Sequence, residues 1–230
     1  YVGNEDLVPT TIDGYDARIE WYPSSTENFN LGVFFKEYTD PLERTFQPVA
    51  GGDPIATFQN ADSAQVLGLE VGGRVEGGRL GDLFGGSSFL DNIYVLANAA
   101  IMDSTVDLAE QGVATDETRA LDGQADLVLN AQAGYDGENV DFTAAFIYIG
   151  TRLRRVGIQG QPNILQDPIP VLDLNFSWRF AEDWVLSASA SNLLNPTIRL
   201  TQQVEGEAAR EFRAFTRGIQ LGAGLKWTFL

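Results

Sequence analysis

Histidine and cysteine do not occur anywhere in the chain. Without histidine there is no ordinary general base near neutral pH and no imidazole ligand for a metal, so Ser-His-Asp and zinc chemistry are excluded. Without cysteine there is no thiolate nucleophile and no disulfide framework, which fits an oxidising compartment. Carboxylates and arginines remain. Asp103, Asp107, Glu110, Asp116, Glu117 and Asp122 form one acidic stretch, and Glu205, Glu207 and Glu211 another. Either could hold calcium or a cationic ligand, but calcium takes about six to eight oxygens from a defined loop, a spacing neither stretch has. Solvated acidic loops are the simpler reading. Arg152, Arg154 and Arg155 could hold an anion, because guanidinium forks match carboxylate and phosphate oxygens, or they could be ordinary surface charge. No catalytic constellation emerges, and neither a cofactor nor a resident metal is expected.

These residues lie between segments that alternate with a period of two. In 170–196, Leu172, Leu174, Phe176, Trp178 and Phe180 point one way, while Asp173, Asn175, Ser177 and Arg179 point the other. After Ala181-Glu182-Asp183, Trp184, Leu186, Ala188 and Ala190 resume the apolar side against Ser187, Ser189 and Ser191, the pattern of an antiparallel hairpin. Tyr15, Ala17, Ile19 and Trp21 repeat it. So do Phe29 to Phe35, where Phe34 intrudes on the polar side, and Leu67 to Val75. Further strands are predicted over 92–102, 125–135 and 140–150, and the last one carries Ile219, Leu221, Leu225, Trp227 and Phe229 on its apolar side. That makes about nine strands.

The connections alternate between short turns and long loops. Segments 39–56, 103–124, 152–168 and 192–218 read as loops. The glycine-rich run at 72–88 lacks the Lys-Ser or Lys-Thr of a phosphate-binding loop and reads as a flexible turn. No stretch reaches the roughly 18 apolar residues of a membrane helix. A net charge of −17, from 15 Lys plus Arg against 32 Asp plus Glu, repels phosphate backbones and excludes nucleic acid as a partner. Tyr1 follows no leader, so the chain reads as a piece of something longer.

Short turns, long loops, strands of about 9 to 11 residues and aromatic ends are the marks of an outer-membrane barrel. Trp21, Tyr22, Tyr135, Phe180, Trp184, Trp227 and Phe229 gather at the turn end, where an aromatic girdle would lie. Lipid is the solvent this pattern implies. It would touch Leu172, Leu174, Phe176, Trp178, Leu186, Ile219, Leu221, Leu225 and Trp227. A soluble β-sandwich binding module and a self-contained barrel of 8 or 10 strands, acting as pore or anchor, are the rival readings.

The segments "GNEDLVPTTIDGYDARIEWYP", "FQNADSAQVLGLEVGGR", "LDGQADLVLNAQAGYD", "PVLDLNFSWRF" and "ASNLLNP", in that order, resemble a TonB-dependent outer-membrane receptor. Gln220, Gly222, Leu225 and Trp227 resemble that family's barrel-assembly signal, although the family usually ends on an aromatic residue and here Leu230 follows Phe229. The resemblance implies an all-β fold in which 1–230 is the C-terminal part of an antiparallel transmembrane barrel. About nine of 22 strands would be present, not closed by this chain alone, with the plug domain and the earlier strands elsewhere. It further implies import of a scarce nutrient, a ferric siderophore above cobalamin or a saccharide, and no enzymatic activity. Partners would be the rest of the barrel and its plug, on the same or a split polypeptide, a TonB-type inner-membrane protein, and outer-membrane lipid and lipopolysaccharide. The long loops would be extracellular, and the turns and C-terminus periplasmic in a Gram-negative cell. Ligand contacts would then come from external loops, with Arg152, Arg154, Arg155, Asp116, Glu117, Glu205 and Glu207 as candidates.

Overall fold

The computed structural model describes residues 3–229 apart from 48, 53–54, 85–89, 109–114, 117, 159 and 203–207. The described strands follow one another as hairpins: β1 (Thr11–Trp21) and β2 (Asn28–Thr39), β3 (Leu42–Gln47) and β4 (Ile55–Asn60), then β5 (Ser63–Glu76). A helix, α1 (Gly77–Phe84), and a 3-10 turn at Leu90–Asn92 lead to β6 (Ile93–Asp107). The chain continues through β7 (Thr118–Arg119), β8 (Leu127–Asp136), β9 (Val140–Ile149), β10 (Arg152–Arg155) and β11 (Ile164–Gln166). It ends with β12 (Ile169–Ala181), β13 (Trp184–Ser191), β14 (Ile198–Gln202), β15 (Arg210–Phe215) and β16 (Gln220–Trp227).

The nine strands expected from alternation form one antiparallel wall in the order β1-β2-β5-β6-β8-β9-β12-β13-β16, with the short β7 added beside β6. Among the described residues nothing pairs β1 with β16, so the sheet is open. It is neither a closed small barrel nor a pair of sheets packed face to face. Register explains its two-sidedness, because residues opposite one another in a ladder share a face. Trp21 lies opposite Phe29, Leu31 opposite Val71, Ile101 opposite Leu127, Phe176 opposite Phe142, and Leu186 opposite Leu225. The apolar positions that alternation assigns to one side of each of the nine strands therefore share one face. Glu20, Asn30, Arg74, Asn98, Gln132, Thr143, Asn175, Ser187 and Gly224 share the other.

Four segments read from the sequence as loops contain strands. β3 and β4 pair above the β2–β5 hairpin, while β10-β11-β14-β15 make a four-stranded sheet above β9, β12, β13 and β16. Their pairing depends on distant partners, and within each segment Gly, or Pro and Gly together, break the alternation. The "SNLLNP" segment is one such break. Asn192 and Asn195 adopt positive φ, which Asn tolerates, and both bond to Gly218: Asn192 Nδ2 donates to the Gly218 carbonyl (2.7 Å), and the Gly218 N–H donates to Asn195 Oδ1 (3.0 Å). The glycine-rich run is likewise regular over 72–84, its last residues, 85–88, lying outside the described ones. β5 extends to Glu76, and α1 follows, its first residue packed against the Leu90 carbonyl where any side chain would collide.

Phe34 intrudes on the polar side for a structural reason. Its ring lies over Gly68, and the Tyr94 ring lies in the same way over Gly134. Glycine in a strand interior permits this close approach. A Cβ on Gly68 would come within 2.2 Å of the Phe34 ring, whereas one on Gly14 would meet nothing within 4 Å. Gly68→Val should therefore cost about 1–3 kcal/mol through overpacking, while Gly14→Ala assembles normally. Equal heat-modifiable gel mobility and equal midpoints of thermal unfolding for the two variants would contradict this packing.

Candidate functional site

The apolar face of the wall has no protein partner among the described residues. Ile19 is 74% exposed and Leu221 79% exposed. Leu172, Leu174, Phe176, Trp178, Leu186, Leu225 and Trp227 lie on this face by register, and Ile219 precedes β16 with the same parity. At the turn end the aromatic side chains touch in series. Trp178–Phe180, Phe180–Trp184, Trp184–Trp227 and Trp227–Phe229 have ring centroids 5.6, 6.3, 5.6 and 5.1 Å apart, and Trp21 stacks on Phe29 at 5.4 Å. A β-bulge between Arg179 and Ala181 carries Phe180 into this series. Tyr135 pairs with Phe142 on the same face. Tyr22 departs from the expected girdle, since its hydroxyl donates to Glu20, a residue of the polar face.

The polar face carries hydrogen-bonded side chains. Gln132 Nε2 donates to Tyr94 Oη (2.8 Å), Asn130 Nδ2 donates to Asn98 Oδ1 (2.9 Å), and the Arg74 guanidinium lies 4.3 Å from the Tyr94 ring centre while pairing with Glu76 (2.8 Å). Toward β16 the side chains become small. Asp141, Thr143, Asn175, Ser177, Ser187 and Ser189 surround a shallow depression of about 500 Å³.

At the loop end a buried ion pair ties distant segments together. Arg119 Nη2 donates to Glu43 Oε2 (2.6 Å), and both residues are buried. Burial pushes the Glu43 carboxyl above its ordinary value, and the Arg119 guanidinium pulls against that shift. Beside them Arg44 Nη2 reaches Asp122 (3.5 Å) and donates to the Arg154 carbonyl (3.3 Å). At the turn end Glu27, also buried, accepts from Arg79 Nε (2.9 Å) and Nη2 (2.7 Å), which fastens α1 to the β1–β2 turn.

The residues singled out in the sequence are scattered over this loop end. Arg152 Nη2 donates to Gln166 Oε1 (3.2 Å); burial, then the like charges of Arg154 and Arg217, lower its guanidinium from the ordinary value. The Arg155 guanidinium lies 5.6 Å from the Phe212 ring centre. Asp116 accepts from Asn163 Nδ2 (2.6 Å), a contact within the loops. Glu117, Glu205 and Glu207, with Glu110, lie outside the described residues. Among the described residues no three His, Cys, Asp or Glu side chains gather as a metal site. The structure instead brings Arg210 and Arg213 of β15 into the sheet of Arg152 and Arg155. The sequence signal that could have found them is the alternation within "REFRAF".

The family model for the TonB dependent receptor-like β-barrel matches residues 1–193. The chain belongs to this family. Solved structures agree in fold. The copper transporter OprC superposes with a TM-score of 0.65 at 15% identity, covering 98% of this chain and 32% of its own. The siderophore receptor PirA from Acinetobacter baumannii gives 0.62 at 16%, covering 98% and 33%. The ferric yersiniabactin uptake receptor FyuA from Yersinia pestis gives 0.63 at 13%, covering 96% and 30%. The chain thus spans about a third of the length of these receptors. No curated protein matches it.

In this receptor barrel the two ion pairs respond differently to perturbation. Arg119→Met leaves the Glu43 carboxylate buried and unpaired, a loss of about 3–5 kcal/mol, and adding Glu43→Leu should recover most of it. The check is protease cleavage at the loop end over a urea series; unchanged sensitivity in Arg119→Met would count against the pair. Hydrogen bonds from Arg79 hold the Glu27 carboxyl at about 2, below its ordinary 4.5. A depressed carboxylate contributes stability above its unfolded value and loses it as pH falls through the folded one. Cleavage near α1 should therefore rise between pH 4.5 and about 2 in wild type, and little further in Glu27→Gln. Matching profiles would refute the tie.

Proposed function

We propose that this chain is the C-terminal part of the barrel of an outer-membrane receptor that binds a scarce nutrient and imports it with energy supplied through a TonB-type inner-membrane protein. The observation that carries the reading is the unbroken apolar face of nine strands. Along β5 the apolar positions Leu67 to Val75 are eight rises apart, roughly 27 Å along the strand. A tilt near 40° brings that to roughly 21 Å, close to the apolar band of a transmembrane barrel at about 25 Å. Lipid covers this face, the aromatic series marks the periplasmic interface, and the polar face lines the lumen.

Bare edges on β1 and β16 are untenable in hydrocarbon, where each unpaired backbone group costs several kcal/mol. The remaining strands of the barrel pair with both edges, and a plug fills the lumen. Similar structures include siderophore receptors and a copper transporter. They support a metal chelate as cargo, a ferric siderophore first, met by loops on the extracellular side. Catalysis has no place in this reading.

The facing assignment sets up the test. An arginine in mid-bilayer costs about 2–4 kcal/mol, so Leu174→Arg should impair assembly in the outer membrane, while Asn175→Arg, on the lumen face, assembles as wild type. Equal yields of the heat-modifiable form would sink the lipid-facing assignment.

A further inference from the structure

Directly beyond the apolar wall, on the same face, lies a surface of arginines. The ladder between β8 and β9 continues past both strands without a slip: the Gly150 N–H donates to the Leu127 carbonyl, the Asp126 N–H to that of Thr151, and Ala125 bridges Arg152. The ladder between β9 and β12 does the same. Ile149 faces Ile169, and three residues on along one strand and three back along the other, Arg152 faces Gln166. Arg152 therefore shares the face of Tyr148 and Phe146. From it a row runs across the four-stranded sheet as Arg152, Gln166, Leu200 and Arg213, and a second as Arg155, Ile164, Gln202 and Arg210. Arginines stand at both ends of both rows.

None of these four arginines forms an ion pair with a described residue, although five other arginines of the chain do. Phe212 and Phe215 lie exposed beside Arg155 and Arg213. Gln166 is 4% exposed, and both its Nε2 and the neighbouring Arg152 Nε are buried without a partner. Both orphans are donors, so beyond Gln166 Oε1, which accepts from Arg152, the row has more donors than described acceptors. At the same height on β1, β2 and β6, this face carries Asp13, Glu37 and Asp103. In a chain of net charge −17, four arginines gather on one arc of the rim.

We propose that this arc, Arg152, Arg155, Arg210 and Arg213 with Phe212 and Phe215, binds the phosphate-bearing headgroup of a membrane glycolipid in the outer leaflet. The inference rests on the reading of the wall as lipid-facing. A site continuous with that wall meets headgroups and not solutes of the lumen. Guanidinium forks match phosphate oxygens, and exposed rings beside them suit the boundary between acyl chain and headgroup.

The experiment uses the intact outer-membrane protein in nanodiscs, with Arg152, Arg155, Arg210 and Arg213 changed together to Gln. Retention of bis-phosphorylated lipid A is read by native mass spectrometry, after heat-modifiable mobility has established that the variant assembles. Wild type should retain the lipid; the variant should retain it at least about tenfold less, and enzymatically dephosphorylated lipid A should bind wild type equally poorly. Equal retention by variant and wild type, or of both lipids, would overturn the proposal. Displacement by inorganic pyrophosphate at concentrations comparable to the lipid would also overturn it, reassigning the surface to soluble anions. Should Arg18→Gln and Arg74→Gln on the polar face weaken retention as much as the arc variant, the facing assignment itself has failed.

Discussion

Between β1 and β16 the inter-strand ladder pairs the backbone groups and also decides which side chains share a face. A slip of one residue in any ladder would send that strand's whole apolar set to the other side. No such slip occurs within the eight ladders of the wall except at the bulge near Phe180, which falls after the last apolar position of the span. The apolar face, the polar face and the aromatic series at one end are consequences of that register.

Packing then works against the usual order of a globular domain. Every position along β1 and β16 is exposed, the large apolar ones included, while the buried charges among the described residues are Glu43 and Arg119 at the loop end and Glu27 at the turn end. Glycine adjusts thickness where an aromatic ring must lie flat on the polar face, as at Gly68 and Gly134. Above the wall, the buried pair of Glu43 and Arg119 and the bonds from Arg44 hold the β3–β4 hairpin, the β6–β8 connection and β10 together. A binding surface made from separate loops needs such ties, since each loop alone buries too little to hold its shape.

Charge is distributed as unevenly as hydrophobicity. Acidic residues occupy the rim above β1, β2 and β6, and unpaired arginines occupy the rim above β9, β12, β13 and β16. This separation survives because no described carboxylate approaches those arginines closely enough to pair.

The period-two alternation alone determined the nine wall strands, their antiparallel order and the residues on each face, because a strand's sidedness is a local property that needs no partner to read. Leu172 to Trp178 opposite Asp173 to Ser177 could be assigned before any contact was seen. Tertiary structure decided the rest. Glu43 finds Arg119 across 76 residues, Arg152 falls into one row with Arg213 across two intervening strands, and Tyr22 turns from the aromatic series to Glu20. The loop-end strands are short and interrupted by Pro, Gly and bulges, so their local pattern is weak, and their faces are set by the ladders they inherit from the wall below.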